Sequence, residues 1–143
     1  MHDEQADWLA HHRRAVAGRA AALEAGRTAE AQQAAALLED FVRRAAERGL
    51  APHPLVATTY DGRWSYRTRA RGWYLKRNRS VAVGEDGEYL VLTVPASLRA
   101  RFVGADLSPS MPRLIVGAGG GDGETVPLEH LLEHRLEAGA RWP

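Results

Sequence analysis

The stretch Arg63-Trp64-Ser65-Tyr66-Arg67-Thr68-Arg69-Ala70-Arg71 alternates residue by residue between two chemistries. Successive side chains of a β-strand point to opposite faces. As a strand, the segment turns Trp64, Tyr66, Thr68 and Ala70 one way and Arg63, Ser65, Arg67, Arg69 and Arg71 the other. One face can anchor in a core while the opposite face presents a row of guanidinium groups to water. This period of two commits the middle of the chain to extended structure.

The charge is as uneven as the pattern. Residues 63–79 hold seven cations (Arg63, Arg67, Arg69, Arg71, Lys76, Arg77, Arg79) and no acid, although the net charge is only +1. The rest of the 143-residue chain therefore carries 12 basic against 18 acidic groups. Concentrated positive charge beside Trp73 and Tyr74 suits an anionic polymer, because guanidinium groups pair with phosphate and aromatic rings stack on bases. The alternatives are a solvated strand face, an edge guarded against aggregation, and intramolecular or intermolecular pairing with the excess acid.

A different period precedes the strand. From residue 4 to about 48, Trp8, Leu9, His12, Val16, Ala20 and Leu23 recur at helical spacing, and so do Ala31, Ala34, Leu37, Leu38, Phe41, Val42 and Ala45. Gly26 between the two sets, with Thr28 as an N-cap, predicts a helical hairpin over residues 1–50. Gly49, Pro52 and Pro54 end it. Its many alanines permit close helix–helix approach and leave a thin apolar stripe suited to a second copy.

Residues 55–126 read as sheet: LVATTY, a tight turn at Asp61-Gly62, the Arg strand, a bend at Gly72, then SVAVG and YLVLTV as a hairpin. ASLRARF fits a helical turn or a strand, and RLIV a short strand. Pro127 opens a C-terminal helix over 127–139, closed by Gly139. The prediction is a single α+β domain, with the hairpin and the last helix packed on a mainly antiparallel sheet of about five or six strands. Its core comprises Trp64, Tyr66, Val81, Val83, Leu90, Leu92, Leu114 and Val116 against Leu37, Phe41, Leu131 and Leu132. No stretch approaches the ~18 apolar residues of a membrane span, and no basic-then-apolar signal peptide opens the chain. With no cysteine, the chain has no disulfide framework, thiol nucleophile or cysteine zinc site, and it reads as cytoplasmic.

Trp73-Tyr74-Leu75, with TTYDGR upstream, resembles the signature of the WYL domain, a small β-barrel module of bacterial regulators linked to ligand or nucleic-acid binding. The downstream Arg-rich strand of that family has no counterpart here, and no functional residue is carried across.

Other motifs weigh less. His130, Glu133 and His134 match H-x-x-E-H, the inverted-zincin pattern of a metal-dependent hydrolase. The leucines Leu128, Leu131, Leu132 and Leu136 claim the opposite, buried side, so those three residues face water. Gly117–Glu124 imitates a dinucleotide loop, yet Asp122 stands where the third glycine belongs and Pro127 follows an extended segment; a flexible hairpin loop fits better. His12 joins an apolar helix side, His53 sits between prolines, and Ser108 and Ser110 flank Pro109 without a legible base. Lys76, the one lysine, lies among cations. These residues call for no cofactor, metal or catalytic group. The leading expectation is a non-enzymatic module that binds nucleic acid or an acidic protein surface. The runner-up is a structural homodimer, and a hydrolase comes third.

Overall fold

The computed structural model describes residues 2–117 and 125–143, so the glycine-rich loop predicted at 117–124 lies almost entirely outside the described residues. The architecture is α+β. A five-stranded sheet of order β4-β3-β2-β1-β5 is built from β1 (His53–Thr59), β2 (Ser65–Tyr74), β3 (Val81–Gly84), β4 (Tyr89–Val91) and β5 (Thr93–Val94). All pairings are antiparallel except β5, which runs parallel to β1. A second sheet pairs β6 (Ile115–Val116) with β7 (Val126–Pro127). The strands thus divide between two sheets.

The predicted helical hairpin does not form. A single helix, α1, runs from His2 to Glu47. A helix-interior glycine costs about 1 kcal/mol, which is too little to end a helix flanked by alanine-rich turns. An added side chain at Gly26 would meet nothing, so no neighbour requires a bend there. Thr28 caps nothing; its hydroxyl donates back one turn to the Glu24 carbonyl at 3.0 Å. The real stop is Gly49 at φ +68. Leu50 N–H reaches the Ala45 carbonyl at 2.8 Å and Gly49 N–H the Ala46 carbonyl at 3.1 Å, the paired bonds of a Schellman motif.

Only the C-terminal part of α1 packs on the sheet. Ala34, Leu38, Phe41 and Ala45 bury against Trp73, Leu75, Val81, Val83 and Tyr89. The helix α3 (Leu128–Ala138) completes this layer with Leu128, Leu132 and Leu136. Phe41 meets Trp73 edge-to-face at 5.5 Å. On the opposite face, Leu55, Tyr74, Ala82, Leu90 and Leu92 form a smaller cluster closed by Leu107 and Trp142. Both sheet faces are therefore covered at the β3–β4 end, where one layer of helices was expected. Pro127 and Gly139 bound α3 as predicted, with Gly139 at φ +56.

Most predicted core positions are buried, but Trp64 is not. It precedes β2 and stays 44% exposed. The β1–β2 turn orients it: Thr59 hydroxyl donates to Asp61 at 2.6 Å, Arg63 N–H donates to the same carboxylate at 3.0 Å, and Trp64 N–H donates to the Thr59 hydroxyl at 3.2 Å. Those bonds hold the Asp61 carboxyl below the usual carboxylate range.

Candidate functional site

Along β2 the alternation is observed from Ser65 to Arg71. Tyr66 is buried and Thr68 and Ala70 are half-buried, while Ser65, Arg67, Arg69 and Arg71 are exposed. Alternate residues of a strand stand about 6.6–6.8 Å apart, so the three arginines make a straight row of evenly spaced donors. Their neighbours on β1 are Pro54, opposite Arg71, Val56, opposite Arg67, and Thr58, opposite Ser65. These side chains are short and leave the guanidinium groups standing above the sheet.

A register shift between Pro54 and Val56 keeps the ribbon intact across a bulge. The Val56 N–H donates to the Tyr74 hydroxyl at 2.9 Å, and the Thr68 hydroxyl donates to the Leu55 carbonyl at 2.7 Å. Side chains of the even-numbered face thus replace ladder bonds that the bulge removes.

Among the described residues no ion pair engages Arg63, Arg67, Arg69, Arg71, Arg77 or Arg79; the pairs found lie within α1 or between α1 and α3. Arg71 ends the row. Its guanidinium donates to the Pro52 carbonyl at 3.3 Å, and its own carbonyl accepts from Glu85 N–H at 2.9 Å. Glu85 opens the acidic β3–β4 turn. In that turn the Glu88 carboxyl is pushed up, first by burial and then by Asp86.

The sequence places all seven cations in one segment, and the fold divides them. Arg63 sits on the exposed β1–β2 turn, and Arg67, Arg69 and Arg71 occupy the strand. Lys76, Arg77 and Arg79 follow the far end of β2. Lys76 is buried, and with Arg77 and His134 it lines a cavity of about 480 Å³ against α3. Arg79, at φ +60, stacks over Tyr74 at 5.3 Å. Trp73 and Tyr74, proposed from the sequence as stacking partners for a ligand, are core residues. Here β2 passes beneath α1, where a large ring is needed to fill the layer, and the Trp73 indole N–H donates to the Leu50 carbonyl at 3.2 Å.

Tyr60 and Trp64 are the exposed aromatics of the β1–β2 turn, and a third element joins Trp64. The helix α2 (Leu98–Val103), capped by Ser97, lies on the Tyr66 side of β2: Ser97 N–H donates to the Tyr66 hydroxyl at 2.9 Å. Its Arg101 stacks on Trp64 at 4.5 Å. Gly104 then brings the chain against the strand, with Ala105 N–H donating to the Arg67 carbonyl at 2.8 Å. A groove of about 210 Å³ runs along this edge between Arg67, Arg69 and residues 103–106. Sequence reasoning missed Arg101, because an ambiguous seven-residue segment gives no hint of which strand it will flank.

The remaining motifs separate. His130 and His134 are exposed, and Glu133 is taken by Arg44 at 2.6 Å. That bond holds the Glu133 carboxyl down and raises Arg44. Among the described residues no three His, Cys, Asp or Glu side chains converge as metal ligands. His12, expected to pack, lies on exposed helix stacked on Trp8 at 5.3 Å. His53 begins β1, and Ser110 N–H donates to the Tyr89 carbonyl in a connecting loop. No described helix is long and apolar enough to cross a membrane. Comparison with family models, curated proteins and solved structures finds no match to the chain.

Proposed function

We propose that the chain is a non-enzymatic binding module whose β2 face takes an extended nucleic-acid strand. The observation that carries this reading is the row Arg67, Arg69 and Arg71, exposed on the strand and without a carboxylate partner among the described residues. Guanidinium groups at even spacing with no carboxylate to neutralise them suit a linear polyanion, since each can meet a phosphate oxygen without bending the strand. Arg63 on the adjoining turn extends the row, whereas the Trp64–Arg101 stack lies on the Tyr66 side of the strand and takes no part. Lys76, Arg77 and Arg79 lie past the buried Trp73 and Tyr74 and take no part. A cytoplasmic setting belongs to the same reading, in keeping with a chain free of cysteine.

The test is binding of a fluorescent single-stranded oligonucleotide at several salt concentrations. With three to five phosphate contacts, log affinity should fall against log salt with a slope of about −2 to −4, at ~0.7 per contact. Arg67→Glu/Arg69→Glu should abolish binding, while Arg77→Glu/Arg79→Glu should leave it nearly intact. Equal losses from both pairs, or binding indifferent to salt, would overturn the assignment of this face. Binding of an acidic protein with no oligonucleotide affinity would keep the face and change the partner.

A further inference from the structure

Every residue of α1 from Asp3 to Ala29 is exposed. Contact with the rest of the chain begins at Glu30, whose carboxylate accepts from Leu114 N–H at 3.1 Å. At about 100° per residue, Leu9, Val16, Ala20 and Leu23 fall on the same side of the helix as Ala34, Leu38, Phe41 and Ala45. The latter four form the buried stripe that seats α1 on the sheet. One apolar stripe therefore continues off the domain into water, where Leu9 is 46%, Val16 49% and Leu23 64% exposed. Residues 3–29 receive none of the tertiary packing from which most helix stability in proteins comes, and Gly18 and Gly26 weaken the segment further.

Leu9, Val16 and Leu23 recur every seven residues, the spacing with which a helix meets another helix. A second copy supplies a matching stripe. We propose that the protein forms an antiparallel homodimer through the N-terminal halves of α1, centred on Val16. The orientation follows from the body, which lies on the stripe side of α1 beyond Glu30. In a parallel pair the two bodies would occupy the same space, whereas the antiparallel pair sets them at opposite ends of the paired segment.

The register follows from the domain. With Val16 at the centre, Leu9 meets Leu23 of the second copy, and the overlap closes at Glu30, where the globular body begins. Sliding one way by a heptad drives one helix into the other copy's body; sliding the other way strands Leu23. The paired segment is about 40 Å long at 1.5 Å per residue and about 10–12 Å wide, a flat footprint of roughly 400–500 Å² per copy. Interdigitating side chains remove more accessible surface than that flat area, which moves the pair toward the ~800 Å² per partner of stable interfaces. This surface shares no residue with the arginine face.

Sedimentation equilibrium of the full chain over a wide concentration range tests the dimer, and engineered thiols test its geometry. Leu9→Glu/Val16→Glu/Leu23→Glu should give a monomer whose domain still melts cooperatively, because all three sites lie outside the core. The chain has no native cysteine, so Leu9→Cys and Leu23→Cys proteins can be mixed under oxidation. The antiparallel pair yields the mixed 9–23 crosslink. Predominant 9–9 and 23–23 crosslinks would overturn the orientation. A wild-type monomer at every concentration, or a dimer untouched by the triple variant, would overturn the interface.

Discussion

Gly72 joins the two parts of β2, the exposed arginine row and the buried Trp73-Tyr74 pair. It pairs with Gly84 across the β2–β3 ladder. A Cβ added at Gly72 would stand 2.0 Å from the Val83 carbonyl oxygen, where tight real contacts begin at 3.0 Å. The obstacle is backbone and has no rotamer to escape into, so Gly72→Ala must part the strands by about 1 Å or more. The neighbouring Glu85–Arg71 and Leu75–Val81 backbone bonds, both 2.9 Å, would then stretch past hydrogen-bonding distance. Overpacking contributes about 1–3 kcal/mol, and each lost bond about 0.5–1.5 kcal/mol. Together they give a loss of about 3 kcal/mol. For a domain of this size that lowers Tm by about 10 °C, measurable by calorimetry or circular dichroism. The matched control is Gly18→Ala, where an added Cβ meets nothing; α1 helicity should rise there, at about 1 kcal/mol in favour of helix. A Gly72→Ala protein melting within about 2 °C of the parent would refute the close approach.

Two further substitutions probe the scaffold. Trp73→Phe leaves the Leu50 carbonyl without its indole donor at the α1–sheet junction and should cost about 1–3 kcal/mol in urea unfolding; an unchanged midpoint would show the bond to be dispensable. Arg44 depresses the Glu133 pKa, so the stability from this pair is complete above the ordinary glutamate pKa of about 4.3. It is lost as pH falls through the lower folded value. The Tm gap between parent and Glu133→Gln should therefore be present at neutral pH and close in acid. It should also shrink in high salt, as for any half-exposed pair; a gap that widened in acid would contradict the assignment.

Much of the fold is local and can be read without coordinates. The alternation at 65–71 depends only on strand geometry, and so does the outward turn of Arg67, Arg69 and Arg71. The turns at Asp61-Gly62 and Gly87, the stop at Gly49 and the bounds of α3 likewise follow from residues with strong backbone preferences. What the chain order conceals is which neighbour each element meets. Trp64 and Trp73 look alike in sequence, yet only Trp73 lies beneath α1. Cations adjacent in sequence separate once Gly72 carries β2 from an open face into a covered one.

Length and composition at residues 4–48 determine that helix forms. They do not determine whether it folds back at Gly26, since that depends on a surface for the returning half to cover, and the domain offers none. Local preference settles secondary structure and the direction of side chains, because both are decided within a few residues. Burial is decided by segments far apart in the chain, so only the tertiary structure shows that the tryptophan predicted as core is exposed, that the Trp-Tyr pair proposed for a ligand is core, and that half of α1 stands in water.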